Sequence, residues 1–252
     1  MNFGFILLYV FLGLLAIPLF LLALVFVSSR FVDPNKEYHK VSPYYVFLSR
    51  MTDVIVIWFM RVRIRVHQQA EWPSEPFLLV SNHSSGFDPV VTWYVLRKRQ
   101  IAFLSKKENF HAPVYGRILM RCGFLPIDRT DPRKAIASIQ RAAEMMKSEG
   151  LSYCVYPEGT RNYGRELLSF HDGVFRIAQK AEAPIVVMTI KGSETIAGKF
   201  PWHRATVDVF VSAVIPREDV LRMRTRDLSE MAREVILRDS AMVVDKNGKI
   251  QE

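Results

Sequence analysis

Residues Asn2 to Ser29 contain no charged side chain, and most of them are Leu, Phe, Val, Ile or Ala. About 20 apolar residues cross the hydrocarbon core of a bilayer, so this stretch is long enough to do so with some tilt. Pro18 stands in its middle and is expected to kink the helix, which membrane helices tolerate. A cleaved signal peptide wants a charged start, a short apolar core and a small-residue cleavage site. Here the first residues are uncharged and the apolar run is too long. The expectation is a transmembrane anchor helix over residues 1–30. Arg30, Lys36 and Lys40 follow the run and nothing basic precedes it, so the positive-inside rule puts the remainder of the chain on the cytoplasmic side.

Residues 31–62 are expected to hold an interfacial or second membrane helix. Pro43 to Met60 is rich in Tyr, Val, Phe, Ile and Trp, with Arg50 and Asp53 as its only charges. It reads as a helix whose Arg50 and Asp53 pair at three-residue spacing. A helix lying in the membrane interface, or packed as a hairpin on the first, fits this pattern. An ordinary buried helix of the following domain is the alternative.

Residues 63–245 alternate between short apolar runs and helical patterns. Strands are expected at Arg63–Gln68, Phe77–Val80, Ile101–Leu104, Phe124–Ile127, Ser152–Tyr156, Ile185–Ile190 and Thr206–Val214. The clearest helix is Asp131–Glu149, capped by Asp131, started by Pro132, paced by Ile136, Ile139, Met145 and Met146, and ended by Gly150. Further helices are expected at Val174–Glu182 and Ser229–Arg238. This alternation predicts a single α/β domain with a largely parallel or mixed central sheet flanked by helices. The tail, residues 246–252 with Asp245 before it, reads as frayed.

The formal net charge is +9, with basic clusters at Arg61-Arg63-Arg65, Arg97-Lys98-Arg99 and Lys106-Lys107. Such a balance suits nucleic acid, anionic lipid or a phosphorylated substrate. A membrane anchor tilts the choice toward lipid, and no nucleic-acid recognition motif accompanies the charge. Scattered surface cations that merely keep the protein soluble are the plainer account of any one cluster. Cys122 and Cys154 are the two cysteines, so no disulfide framework is implied. No metal-ligand spacing is evident, and no metal or cofactor is expected.

A histidine and a carboxylate stand five positions apart in Ser81-Asn82-His83-Ser84-Ser85-Gly86-Phe87-Asp88-Pro89, directly after Phe77–Val80. A neutral imidazole can take a proton from a hydroxyl while a carboxylate on its other nitrogen fixes the tautomer. No activated serine or cysteine is evident beside the pair, so the base would act on a substrate hydroxyl. Asp88-Pro89 is equally a helix start, with Asp at the cap and a helix from Pro89 to about Arg99. The base reading requires Ser84–Phe87 to turn Asp88 back to His83, and Gly86 is the residue that could permit such a turn.

Three more segments follow strands and place charge or proline at a turn: Gly123-Phe124-Leu125-Pro126-Ile127-Asp128-Arg129, Tyr156-Pro157-Glu158-Gly159-Thr160-Arg161 and Ala183-Pro184-Ile185-Val186. With Asn82-His83 to Asp88 they resemble, in order and spacing, the four motifs of the glycerolipid acyltransferases, specifically the 1-acylglycerol-3-phosphate O-acyltransferase family. The third motif usually carries Phe where this chain has Tyr156. Lys106-Lys107-Glu108 before Pro113 and Gly116 agrees with the family as well. A departure is Phe170-His171-Asp172-Gly173, where the family often has Lys after Phe.

The resemblance implies acyl transfer from acyl-CoA or acyl-carrier protein to the free hydroxyl of a 1-acylglycerol 3-phosphate. His83 would be the base and Asp88 its orienting partner. Arg129 and Arg161 would bind the acceptor phosphate, a task suited to a bidentate guanidinium. Glu158 would orient the glycerol or the arginines, and Gly159, Thr160 and Lys106 would complete the substrate-binding set. Partners would be lysophospholipid, acyl donor and membrane lipids. The same chemistry on glycerol 3-phosphate, another lysophospholipid or a lyso-ornithine lipid is the enzymatic alternative. A non-catalytic lipid-binding protein is the alternative from a different class.

Overall fold

Apolar runs without alternation belong at the centre of a sheet covered on both faces, and three runs here do so. Strands β2 (Leu78–Ser81), β5 (Ser152–Val155) and β6 (Ile185–Lys191) are buried along nearly their whole length. The remaining long strands are β1 (Val62–Gln68), β3 (Ile101–Lys106), β4 (Leu125–Ile127) and β7 (Ala205–Ile215). They form a seven-stranded sheet of order β1-β7-β6-β2-β5-β3-β4. This computed structural model describes residues 3–128, 130–245 and 248–251. All seven expected strands are present to within a residue or two. The sheet is mixed, because β6 and β7 pair antiparallel while the other neighbouring pairs run parallel.

Helices cover both faces of the sheet. α1 is Phe3–Arg30 and α2 is Pro43–Phe59. α3 is Asp88–Val95, α4 Tyr115–Arg121, α5 Pro132–Glu149, α6 Arg176–Ala181, α7 Ile196–Lys199, α8 Arg217–Arg222 and α9 Thr225–Ala241. α5 starts as its sequence dictates. Asp131 accepts from the Arg133 and Lys134 amides at 3.0 and 3.3 Å, and Gly150 ends the helix at φ 63°. Ile139, Met145 and Met146 are buried, whereas Ile136 stays half exposed. Tyr153, Phe77 and Phe175 are the bulkiest of the fully buried side chains, each contributing roughly 1.5–3 kcal/mol or more of burial energy.

Several expectations are corrected. α3 ends at Val95 rather than near Arg99. The segment expected as one helix from Val174 begins as a 3-10 turn over Asp172–Phe175. α9 is longer than Ser229–Arg238 at both ends. In the tail, strand β9 (Ile250–Gln251) pairs antiparallel with β8 (Val243–Val244), which lies just before the tail. Arg50 and Asp53 do not pair: the Arg50 guanidinium turns to the Arg99 carbonyl at 2.6 Å, and Asp53 is buried with Oδ2 unbonded. Both face the domain, on the side of α2 that carries buried Tyr45, Leu48 and Ile57. α2 packs on α3 and α4, which makes one of its faces part of the core.

Among the described residues no helix is long and apolar enough to cross a membrane. Many described side chains of α1 are large, apolar and exposed, including Leu7, Tyr9, Ile17, Phe20 and Phe26.

Candidate active site

The loop after β2 lies between the loops after β5 and β6, because β2 is flanked by those two parallel strands. This edge, at the carboxyl ends of the strands, is where ligands collect in open α/β sheets. Asn82 fastens the start of the β2 loop to β6. Its Oδ1 accepts from the Ile190 amide and its Nδ2 donates to the Ile190 carbonyl, both at 2.8 Å. The main chain of His83 is held on the other side. Its N–H donates to Glu158 Oε1 at 2.6 Å, and its carbonyl accepts from the Asn162 amide at 2.8 Å.

The Asp88 carboxylate is fully buried. Isolated, such a charge costs several kcal/mol, so its partners decide whether it can exist there. Oδ2 accepts from the Ser84 and Ser85 amides, each at 2.7 Å, and bonds His83 Nδ1 at 2.9 Å. Oδ1 accepts from the Ser193 hydroxyl. The helix-cap account of Asp88 is overturned. The cap position of α3 is Phe87, no side chain caps the helix, and the carboxylate faces backward into the loop. Gly86 is not the hinge either, since its φ is not positive. The loop turns because two amides converge on one oxygen. Gly86 instead lies against the Arg161 guanidinium, 3.6 Å from where a Cβ would stand.

With Nδ1 engaged by Asp88, Nε2 is the ring nitrogen left to accept a proton. The ring lies stacked on Tyr156, with centroids 4.4 Å apart and planes 15° off parallel. Tyr156 hydroxyl and Thr92 Oγ1 are 3.2 Å apart. Burial pushes the Tyr156 phenol well above its usual value, so it stays neutral.

His83 and Tyr156 line a cleft of about 550 Å³. Trp93, Phe103, Leu119 and Phe124 supply its apolar wall, while Thr160, Arg161 and Lys106 are among its polar members, with Ser105, Glu108 and Asn109 beside them. Arg161 and Thr160 are exposed. Lys106 meets Glu108 at 3.6 Å with both side chains more than half exposed. Such a surface pair is weak and yields readily to an anionic ligand.

Of the sequence-derived set, His83, Thr160, Arg161 and Lys106 line one cleft, and Asp88 is buried behind His83. Gly159 forms the turn behind them, its amide donating to the Tyr156 carbonyl at 3.0 Å. Arg129 lies outside the described residues. Glu158 is buried, and its carboxylate is taken up by the loop's own donors rather than by Arg161. Oε1 holds the His83 amide, and Oε2 accepts from Asn162 Nδ2 at 2.9 Å and from the Leu168 amide at 3.0 Å. His171 and Asp172 lie off the cleft lining; the His171 amide donates to the Pro157 carbonyl at 2.9 Å.

Ser193 was missed by sequence reasoning. It follows Gly192, whose φ of 92° disfavours a side chain and where a Cβ would stand only 2.6 Å from the Thr206 carbonyl oxygen. A glycine after a buried strand was the available signal, but it does not name Asp88 as the target.

Sheet and cleft together define an α/β domain with a buried carboxylate–imidazole pair at the strands' carboxyl edge. Residues 63–191, just over half of the chain, match the Acyltransferase family model, and the chain belongs to that family. It is 31% identical over 182 residues to the chloroplastic 1-acyl-sn-glycerol-3-phosphate acyltransferase LPAT1 of Arabidopsis thaliana, covering 70% of this chain and 49% of that protein. Thus it spans about half the length of this plant relative. It is 25% identical over 208 residues to the 1-acyl-sn-glycerol-3-phosphate acyltransferase of Streptococcus pneumoniae, covering 82% of this chain and 75% of the relative. The fold is that of the 1-acyl-sn-glycerophosphate (LPA) acyltransferase PlsC from Thermotoga maritima, with a TM-score of 0.65, 19% identity and 86% of each chain covered.

Proposed function

We propose that this protein is a membrane-anchored 1-acylglycerol-3-phosphate O-acyltransferase that forms phosphatidic acid. The observation that carries the reading is the 2.9 Å contact between His83 Nδ1 and Asp88 Oδ2 beside a cleft bearing Arg161 and Lys106. Nε2 of His83 takes the proton of the sn-2 hydroxyl. The oxygen attacks the thioester carbonyl of acyl-CoA or acyl-carrier protein, and the tetrahedral intermediate collapses with loss of thiolate. The imidazolium, stabilised by Asp88, returns its proton to the thiolate. No acyl-enzyme intermediate is formed. Arg161, with Arg129, binds the acceptor phosphate, and Lys106 adds positive charge at the mouth. The apolar wall receives acyl chain.

Substrate and product stay in the bilayer, so the protein must sit on it. The uncharged run Asn2–Ser29 supports α1 as a membrane anchor. α2 lies in the interface. Its exposed Tyr44, Phe47, Met51, Val54 and Trp58 recur at three- and four-residue spacing on the face opposite its buried side chains. The domain stands on the cytoplasmic side, in keeping with Arg30, Lys36 and Lys40.

The test is transfer from oleoyl-CoA to lysophosphatidic acid in membranes carrying wild type or His83→Ala. The variant is expected to lose at least about 10²-fold in rate, the contribution of a positioned base. Turnover like the wild type's would sink the mechanism. A panel of phosphorylated and phosphate-free acceptors, each with both donor types, assigns the acceptor and donor.

A further inference from the structure

We infer that the loop Phe200–Arg204 is a second membrane-contact site, docking the catalytic edge of the domain onto an anionic bilayer through Trp202. The inference rests on the proposal that α2 lies in the interface, and it extends that surface to a segment remote in sequence.

Trp202 is 81% exposed, among the most exposed large hydrophobic side chains described. The loop that carries it is fixed to the end of α2. Arg61 Nη1 donates to the Pro201 carbonyl at 2.9 Å and to the Trp202 carbonyl at 3.4 Å. The rings of Phe59 and Phe200 lie 5.0 Å apart. The His203 amide donates to the Lys199 carbonyl at 2.8 Å, closing the loop on α7. The loop bearing Trp202 is therefore held at the end of α2 that carries Trp58 and Phe59, themselves 73% and 58% exposed. Indole rings favour the depth of lipid headgroups, where the ring is half apolar and its N–H finds water.

The chain segments that form this aromatic cluster carry charge of one sign. Arg61, Arg63 and Arg204 are exposed and Lys199 is half-buried beside them. Neither residues 54–70 nor 195–207 contain an Asp or Glu. A protein partner of ordinary composition would be recognised by mixed charges, whereas aromatic rings flanked in the chain by cations suit an anionic lipid surface.

Topology explains why such a contact would matter. β7 runs against β6, so the loop before β7 sits at the end where β6 finishes, as the Lys191–Asp208 register requires. β1 runs parallel to β7, so α2 feeds into β1 at that same end. β2 runs parallel to β6, so His83 follows β2 there too. The end of α2, the Trp202 loop and the His83 loop thus share one edge of the sheet. Contacts at α2 and Trp202 would hold that edge against the headgroups and set the tilt of the cleft.

The full chain, reconstituted into phosphatidylcholine vesicles with or without phosphatidylglycerol, tests this. A single cysteine replaces Trp202, Phe47 or Ile136 in turn and is labelled with an environment-sensitive fluorophore; Cys122 and Cys154 are buried and do not compete. The label at Trp202→Cys is expected to be blue-shifted, quenched by a headgroup nitroxide lipid and lost to iodide, more so with phosphatidylglycerol. The label at Ile136→Cys, on exposed α5 surface, should remain open to iodide. Iodide access at position 202 equal to that at 136 overturns the inference. If position 47 is equally open, the interfacial placement of α2 falls with it. Acyl transfer measured in the same vesicles separates this result from the assignment of activity.

Discussion

The hydroxyl of Ser193 donates to Oδ1 of Asp88, the carboxylate oxygen that His83 does not use. It comes from the turn after β6, while His83 and Asp88 belong to the loop after β2. Asp88 therefore receives donors from two neighbouring loops at once, and its orientation toward His83 depends on both.

Ser193→Ala removes one donor to a buried carboxylate. A hydrogen bond to a charged group contributes about 1.5–3 kcal/mol, so a loss of roughly 10- to 100-fold in kcat is expected. Acceptor KM should hardly move, because Ser193 is not among the residues lining the cleft. Steady-state kinetics with a pH profile checks this. An unchanged kcat would show that the two amides and His83 orient Asp88 by themselves.

Glu158→Gln places an NH2 group where a carboxylate oxygen accepts only from donors. At least one donor among the His83 amide, Asn162 and the Leu168 amide then loses its partner. The expected cost is about 1–3 kcal/mol of stability, read as a lower melting temperature in detergent, together with reduced kcat. A purely substrate-binding Glu158 would instead raise KM at unchanged melting temperature.

Arg161 stands exposed on the cleft beside Gly86. Arg161→Ala is expected to raise KM for a phosphorylated acceptor on the order of tenfold or more, and Arg161→Lys to recover part of that. A phosphate-free acceptor should be insensitive. Equal losses on both acceptors would place Arg161 in a structural role.

Asp53 predicts a pH dependence of stability. Burial raises its pKa from 3.8 to about 8. Between those values the unfolded chain has released the proton while the folded protein still holds it. Stability therefore falls as pH rises from about 4 to about 8, by up to roughly 1.4 kcal/mol per unit, and is independent of this group below the window. Asp53→Asn should flatten the curve and raise the melting temperature most at pH 8. A mutant that keeps the wild-type slope in a melting series from pH 5 to 9 would assign the dependence elsewhere.

Much of the fold was legible because it is set by short-range periodicity. The seven strands of the main sheet and α5 with both its caps follow from residues within a turn or two of one another. Short α4 was not legible, since it is a single pair of turns containing Gly116. The Arg50–Asp53 pair was misread because three-residue spacing permits a pair but does not compel it. The Arg99 carbonyl, brought up by packing of α2 on the domain, took the guanidinium instead.

By itself, then, the sequence determined the elements, the uncharged N-terminal run and the residues with chemistry to offer. Tertiary structure decided what those residues do. His83 and Asp88 left base and helix cap equally open, and the cap account failed only when the carboxylate was seen folded back onto Ser84 and Ser85. Strand order placed β2 between β5 and β6, and so set Glu158 against the His83 main chain and Ser193 against Asp88. Order within a sheet depends on contacts between segments more than a hundred residues apart, such as Val62 with Ala205, whose loop-closure cost is met by burial of the whole core. No local pattern carries that information.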